Sequence, residues 1–305
     1  MSTLPIIFLF TPQHTGTHFV RMLLETHPAI GFCVNESRRI DSAMREAHCL
    51  AGTGAGASGP PHERRLDDII VDHFHGRLSE ADFSHRYDYC LRQSIERFPG
   101  RTVADVIRAT SGAQFRELGL VPAEKTPRFR LFHGHCGPKY REASLEPSSL
   151  RFVVTLRHPL LSLISALRRT DEPAVAEDLI EAFDIVLGLR GAFFFCTDLW
   201  QGRPEAMRGL FTTLGLNPSA ETEAFLQLQP RVNETVVRGP ERPSRLQEPE
   251  AARASPARLA ELQDARALLL AEGRIHPGLR PWWARICERG IDERMERFGY
   301  DFTNA

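Results

Sequence analysis

Two short segments carry residue types and spacings suited to holding phosphate. The first is Thr11-Pro-Gln-His-Thr-Gly-Thr-His-Phe19, which follows an apolar run and precedes a helical pattern. A small, hydroxyl-bearing turn between a buried strand and a helix starting near Thr17 aims backbone N–H groups and the positive end of the helix dipole at one spot. Gly16 permits close approach of the backbone, and Thr15 and Thr17 add hydroxyl donors. The plain alternative is a capped helix after a strand. The pattern G-x-x-x-x-G-K-S/T of nucleoside triphosphatases is absent, as is its lysine. The second segment, Arg151–Ser165, ends a strand at Arg157 and opens a helix on Pro159. Proline suits that first turn, where its missing N–H costs nothing. Ser165 lies eight residues beyond Arg157 and can face back toward the strand end. An arginine and a serine converging there could hold a second, separate phosphate. An ordinary surface ion pair is the alternative for Arg157.

Other patterns carry little chemistry. The run Gly52–Gly59 does not follow a strand and its spacing fails G-x-G-x-x-G, so it reads as a flexible linker. His73 and His75 have no third ligand nearby, and the 6 cysteines are scattered without C-x-x-C or zinc-type spacing. No metal site is expected, and reduced thiols in a cytoplasm fit better than a disulfide framework. The chain has 305 residues with 38 basic against 39 acidic, a net charge of −1. That balance argues against nonspecific nucleic-acid binding through a basic face. Only Lys125 and Lys139 among the basic residues are lysines, so lysine chemistry has two possible addresses. No segment approaches the ~20 apolar residues of a membrane span. The expectation is a cytoplasmic protein with neither nucleic acid nor membrane as a partner.

The elements that must position these residues are legible as alternating strands and helices. Pro5–Phe10, Arg151–Leu156 and Ala192–Cys196 are continuous apolar runs, the mark of parallel strands covered on both faces. Each precedes a helical pattern: Thr17–Glu25, Leu160–Arg168 and Pro204–Leu214. Strand, turn and helix repeated in this way predict an α/β fold, a central parallel sheet flanked by helices. A fourth strand is expected at Arg128–His133. Residues 33–125 read as a helical insertion, with helices over Leu66–Phe74 and Phe83–Arg97. Residues 229–256, rich in Pro, Glu and Arg, read as a mobile loop. The tail is expected to form helices over Ala257–Gly273 and Trp282–Phe298, and the whole is expected to make one domain.

At these residues the chain resembles the sulfotransferases that use 3′-phosphoadenosine 5′-phosphosulfate (PAPS). Thr15-Gly16-Thr17 match the core of that family's loop for the 5′-phosphosulfate, and the resemblance implies contacts from His14 through Phe19, His18 included. Arg157 and Ser165 match its pair for the 3′-phosphate. Pro127–Pro138 resembles the segment bearing a catalytic histidine, here His135, 22 residues before Arg157. Phe193–Leu199 resembles the family's Tyr-Glu-Asp-Leu strand, with Cys196-Thr197 departing from it. Val237-Arg238-Gly239 resembles the late Arg-Lys-Gly clamp, which implies nucleotide contacts from Arg238 and Gly239. The likeness covers roughly residues 4–36 and 125–240. It implies a sheet like that of P-loop nucleoside triphosphatases.

The family places lysine or arginine two residues before the glycine, where this chain has His14. Imidazole carries full charge only near or below its unperturbed pKa of ~6.5, and bound phosphates favour that form. Activity is therefore expected to fall as pH rises through that titration. Two residues compete as base for the acceptor hydroxyl. His135 follows the small-molecule pattern. Glu36 resembles the carboxylate that bacterial carbohydrate sulfotransferases place after their first helix. The resemblance implies sulfuryl transfer from PAPS to a hydroxyl of a small molecule or carbohydrate, without a metal. A noncatalytic nucleotide-binding or scaffold protein on the same fold is the alternative, and His14 is the feature that feeds it.

Overall fold

The computed structural model describes residues 4–35, 71–79, 82, 122, 126–141, 150–168, 170, 172–200, 203–228 and 254–302. Five strands form one parallel sheet: β1 (Ile6–Thr11), β2 (Ile30–Asn35), β3 (Phe129–His135), β4 (Leu150–Leu156) and β5 (Phe193–Cys196). Their order is β2-β3-β1-β4-β5. Helix α1 (Thr17–Glu25) follows β1, and α2 (Pro159–Leu167) and α3 (Pro173–Leu187) follow β4. The short α4 (Thr197–Trp200) continues directly from β5 into α5 (Pro204–Thr213) and α6 (Ala220–Leu228). The tail carries α7 (Pro256–Glu272), α8 (Arg280–Glu288) and α9 (Ile291–Glu296).

The uninterrupted apolarity of the strands follows from burial on both faces. Ile6, Phe8 and Phe10 of β1 point to one face with Phe152 and Val154, under α2, α3 and the tail helices. Ile7, Leu9, Leu131, Val153 and Phe195 point to the other, under α1, α5 and α6. Side chains alternate along each strand, so only a sheet covered twice needs every position to be apolar. Phe8 is the centre of the first face, with ring centroids 5.1 Å from Phe10, 5.6 Å from Phe74, 5.0 Å from Phe132 and 5.8 Å from Phe152. Phe74 comes from the helical turn at residues 71–74. The long stretch between β2 and β3 therefore sends at least one turn back onto the sheet, where the His75 Nε2 atom lies 3.0 Å from the Lys139 carbonyl.

Three expectations need correction. The insertion does not begin at residue 33, because Ile30–Asn35 is strand β2. Gly31 disguised it: a Cβ there would lie 3.2 Å from the Phe129 carbonyl, and the pairing with β3 shifts register between Ile30 and Cys33. A glycine that reads as a breaker is here a close approach beside a bulge. The tail segment Trp282–Phe298 is two helices rather than one, broken at Gly290 with φ 59°. Helices α3 and α6 were not anticipated at all. The run 52–59, the helix expected at 83–97 and most of the loop 229–256 lie outside the described residues.

The strand order places a reversal in the middle of the sheet. The chain leaves β1 toward β2 on one side and leaves β4 toward β5 on the other. Beyond the carboxyl ends of β1 and β4 the connections thus diverge, which opens the crevice where such sheets take their ligands. Both phosphate-suited segments end there. Among the described residues, no helix is long and apolar enough to cross a membrane.

Candidate functional site

The loop after β1 is strained and closely packed. His14 has φ 63°, the left-handed region that an L residue enters at a cost of about 1 kcal/mol or more. Gly16 follows at φ 84° and caps α1. Glycine is required twice over there, since a Cβ would also lie 2.9 Å from the Thr197 methyl. The Phe19 N–H bonds the Gly16 carbonyl at 3.0 Å. The N–H groups of residues 17 and 18 lie before the intrahelical ladder begins, where an anion at this end of α1 would meet them.

Buried hydroxyls hold the loop in this shape. The Thr15 hydroxyl donates to the Pro12 carbonyl at 2.8 Å. Its single proton is then spent, so across the 2.6 Å contact with Thr155 it is Thr155 that donates. Thr17 lies 3.4 Å from Thr155 and 2.9 Å from Thr11, which completes a row of four hydroxyls from β1 to β4. The Thr197 hydroxyl reaches both the Thr15 carbonyl, at 2.8 Å, and the Leu156 carbonyl, at 3.1 Å. Sequence reasoning expected Thr15 and Thr17 to offer their hydroxyls to a ligand. In the structure those hydroxyls are engaged within the fold, where they brace the loop.

The turn after β4 is built on charge. Arg157 is half-buried at the strand end. Burial lowers its pKa, the Asp198 carboxylate opposes that shift, and the like charge of Arg266 adds to it. The next residue, His158, caps α2: its Nδ1 accepts the Leu160 N–H at 3.2 Å. Burial pushes the His158 imidazole down to about 4 against the pull of Asp198, so the ring is neutral at pH 7. Ser165 extends from α2 toward the other loop, its Oγ 3.5 Å from the His14 Nδ1. Ser162, one turn earlier, donates to the His14 carbonyl at 3.4 Å.

The structure thus gathers His14, Thr15, Gly16, Thr17 and Ser165 around one loop and places Arg157 at the adjoining strand end. His135 is the last residue of β3, directly paired with Thr11, so it borders the same crevice. Its ring packs edge-on against that of His133 with centroids 4.6 Å apart. Phe19 belongs elsewhere: its ring is buried against Phe195 and Phe225 on the α1 side of the sheet. It packs α1 onto the sheet. His18 lies in the first turn of α1. Glu36, Arg238 and Gly239 lie outside the described residues. Among the described residues, no group of three His, Cys, Asp or Glu side chains is arranged to hold a metal.

Two residues of the site escaped sequence reasoning. Thr155 left a signal, being the one hydroxyl in the apolar run Phe152–Leu156, buried at 0% exposure. A polar group there must find a partner inside the fold. Thr197, in sequence a mismatch to the family's motif, joins the two loops.

No family model matches the chain, and no curated protein matches it. Among solved structures it is similar to a sulfotransferase domain from the olefin synthase of Synechococcus PCC 7002. The two share 15% identity at a TM-score of 0.42, with 97% of this chain and 95% of that chain covered. The α/β fold rests on the sheet itself.

Proposed function

We propose that the protein transfers a sulfuryl group from PAPS to a hydroxyl of a small molecule or carbohydrate and releases 3′-phosphoadenosine 5′-phosphate (PAP). One observation carries the reading: a left-handed loop at the start of α1 and a half-buried arginine adjoin at the switch point, fastened together through Thr197. Two anion sites of different build suit a nucleotide with a phosphate on each side of its ribose. The loop would take the 5′-phosphosulfate and Arg157, with Ser165, the 3′-phosphate.

In this reaction the acceptor oxygen forms a bond to sulfur while the bond from sulfur to the bridging phosphate oxygen breaks. The acceptor proton passes to a base, and negative charge grows on the departing phosphate. His135, bordering the crevice beside Thr11, is the proposed base, with Glu36 immediately after β2 as the alternative. His14, in the left-handed turn of the loop, is the proposed donor to the growing charge.

Thermal unfolding with PAP, ADP and ATP tests the reading. Ligand at 100 times its dissociation constant adds about 2.7 kcal/mol, enough to raise the melting point by several degrees. A shift with PAP that ADP does not reproduce is expected. An equal shift with ADP, or none, removes the 3′-phosphate site from the proposal. The His14→Lys variant separates enzyme from binder. Turnover lost in that variant shows His14 adapted to the reaction, whereas a large gain marks a degenerate site and favours a noncatalytic nucleotide-binding role.

A further inference from the structure

The residues that fix the second anion site come from neither anion loop. Helix α4 begins at the end of β5, and its first two residues reach in different directions. Thr197 holds the loop after β1, as described above. Asp198 uses both carboxylate oxygens: Oδ2 accepts the His158 N–H at 2.8 Å, and Oδ1 accepts the Tyr300 hydroxyl. Tyr300 lies 102 residues further along, past the last helix. Its own setting is firm. The ring is buried, it meets His158 edge-on at 6.3 Å, and it stacks with Phe302 at 6.2 Å. Phe302 in turn packs on His158 at 5.2 Å and on Trp283 at 5.3 Å.

The peptide immediately after Arg157 is thus held by a carboxylate, and that carboxylate is held by a phenol. Asp198 also lies within electrostatic reach of the guanidinium, with Arg266 opposing it. The arrangement does more than cap a chain end, because a cap would need neither the charge nor its placement beside Arg157. Resting on the reading of Arg157 as the ligand for the 3′-phosphate, we propose that Asp198, locked by Tyr300, is a positioning residue. It sets the turn between β4 and α2 so that Arg157 distinguishes a nucleotide bearing a 3′-phosphate from one without it.

Dissociation constants for PAP and ADP, measured calorimetrically on wild type, Asp198→Ala, Asp198→Asn and Tyr300→Phe, test the role, together with amide exchange at His158 without ligand. Asp198→Ala is expected to weaken PAP on the order of 10-fold and ADP by less than about 2-fold, the loss of one charge-assisted hydrogen bond felt at one site. Asp198→Asn, whose amide oxygen still accepts the His158 N–H, is expected to fall between wild type and Asp198→Ala. The conservative Tyr300→Phe should show the same selective loss at smaller size, and exchange at His158 should quicken in Asp198→Ala and Tyr300→Phe. Equal weakening of PAP and ADP, or a lower melting point with PAP affinity intact, reduces the pair to a structural brace and overturns the role. Wild-type protein that binds PAP no better than ADP overturns the reading of Arg157 itself, and the positioning role falls with it.

Discussion

The two loops at the switch point solve the same problem with different materials. The loop after β1 offers no side-chain carboxylate or guanidinium. Its shape comes from a left-handed His14, a glycine pressed on Thr197 and a row of buried threonine hydroxyls. The turn after β4 relies on one half-buried arginine, steadied by a carboxylate and a neutral histidine cap. On the proposed reading the first would meet an anion through geometry, and the second through charge. A ligand with two unlike anionic groups, one to be cleaved and one only to be recognised, fits that division of labour.

Breaking the geometric half carries the largest expected cost. Gly16→Ala adds a methyl 2.9 Å from the Thr197 methyl at a backbone φ of 84°. Left-handed strain and overpacking together should cost about 3 kcal/mol of stability. Surviving protein should lose PAP and ADP alike, because in the proposed function both nucleotides would use this loop. Denaturant unfolding and nucleotide titration of the variant measure the two effects. An alanine variant with wild-type stability would show that the loop rearranges freely, and the contrast between the halves would vanish.

That first loop was only half legible in the sequence. Thr15-Gly16-Thr17 announced a turn feeding a helix, and α1 runs over the expected Thr17–Glu25. Nothing in the local string reveals that Thr15 is bonded to Thr155, 140 residues away, or that its carbonyl is held by Thr197, 182 residues away. Local spacing encodes capping and periodicity. Which hydroxyl spends its proton on which partner is decided by strand pairing, and strand pairing is nonlocal. The same limit hid β2, whose pairing with β3 is spread over a bulge at Gly31. Apolar continuity, by contrast, fixes burial on two faces wherever it occurs, so β1, β4 and β5 were recognisable singly. Phe19 shows the converse: adjacency to the loop in sequence says nothing about which face of α1 a side chain takes.

Acid should weaken the turn after β4 through His158. His158 is neutral in the fold with its pKa pushed down to about 4, while an unfolded histidine titrates near 6.5. Between those values the unfolded chain binds the extra proton, so this contribution to stability is intact above pH 6.5 and drains away as pH falls toward 4. From pH 7 to pH 5 the loss should be about 2 kcal/mol. His158→Asn keeps an acceptor for the Leu160 N–H and removes the titration, so the difference in urea stability between the two pH values should shrink by that amount. A variant with undiminished acid sensitivity would place the titrating group elsewhere.

The smallest change tests whether the halves are separate at all. Thr155 sits on β4, the strand of the charged half, yet its hydroxyl supports the loop of the geometric half. Thr155→Val keeps the shape and strips the donor from Thr15, leaving a buried oxygen short of a partner, at a cost of about 1 kcal/mol. Thr155→Ser should restore most of it. If the hydroxyl row serves only the first loop, PAP and ADP should weaken by the same factor, roughly 5-fold for 1 kcal/mol. A loss confined to PAP would mean that Thr155 transmits its effect along β4 to Arg157. The two loops would then be one device, set by a shared strand rather than by their separate chemistries.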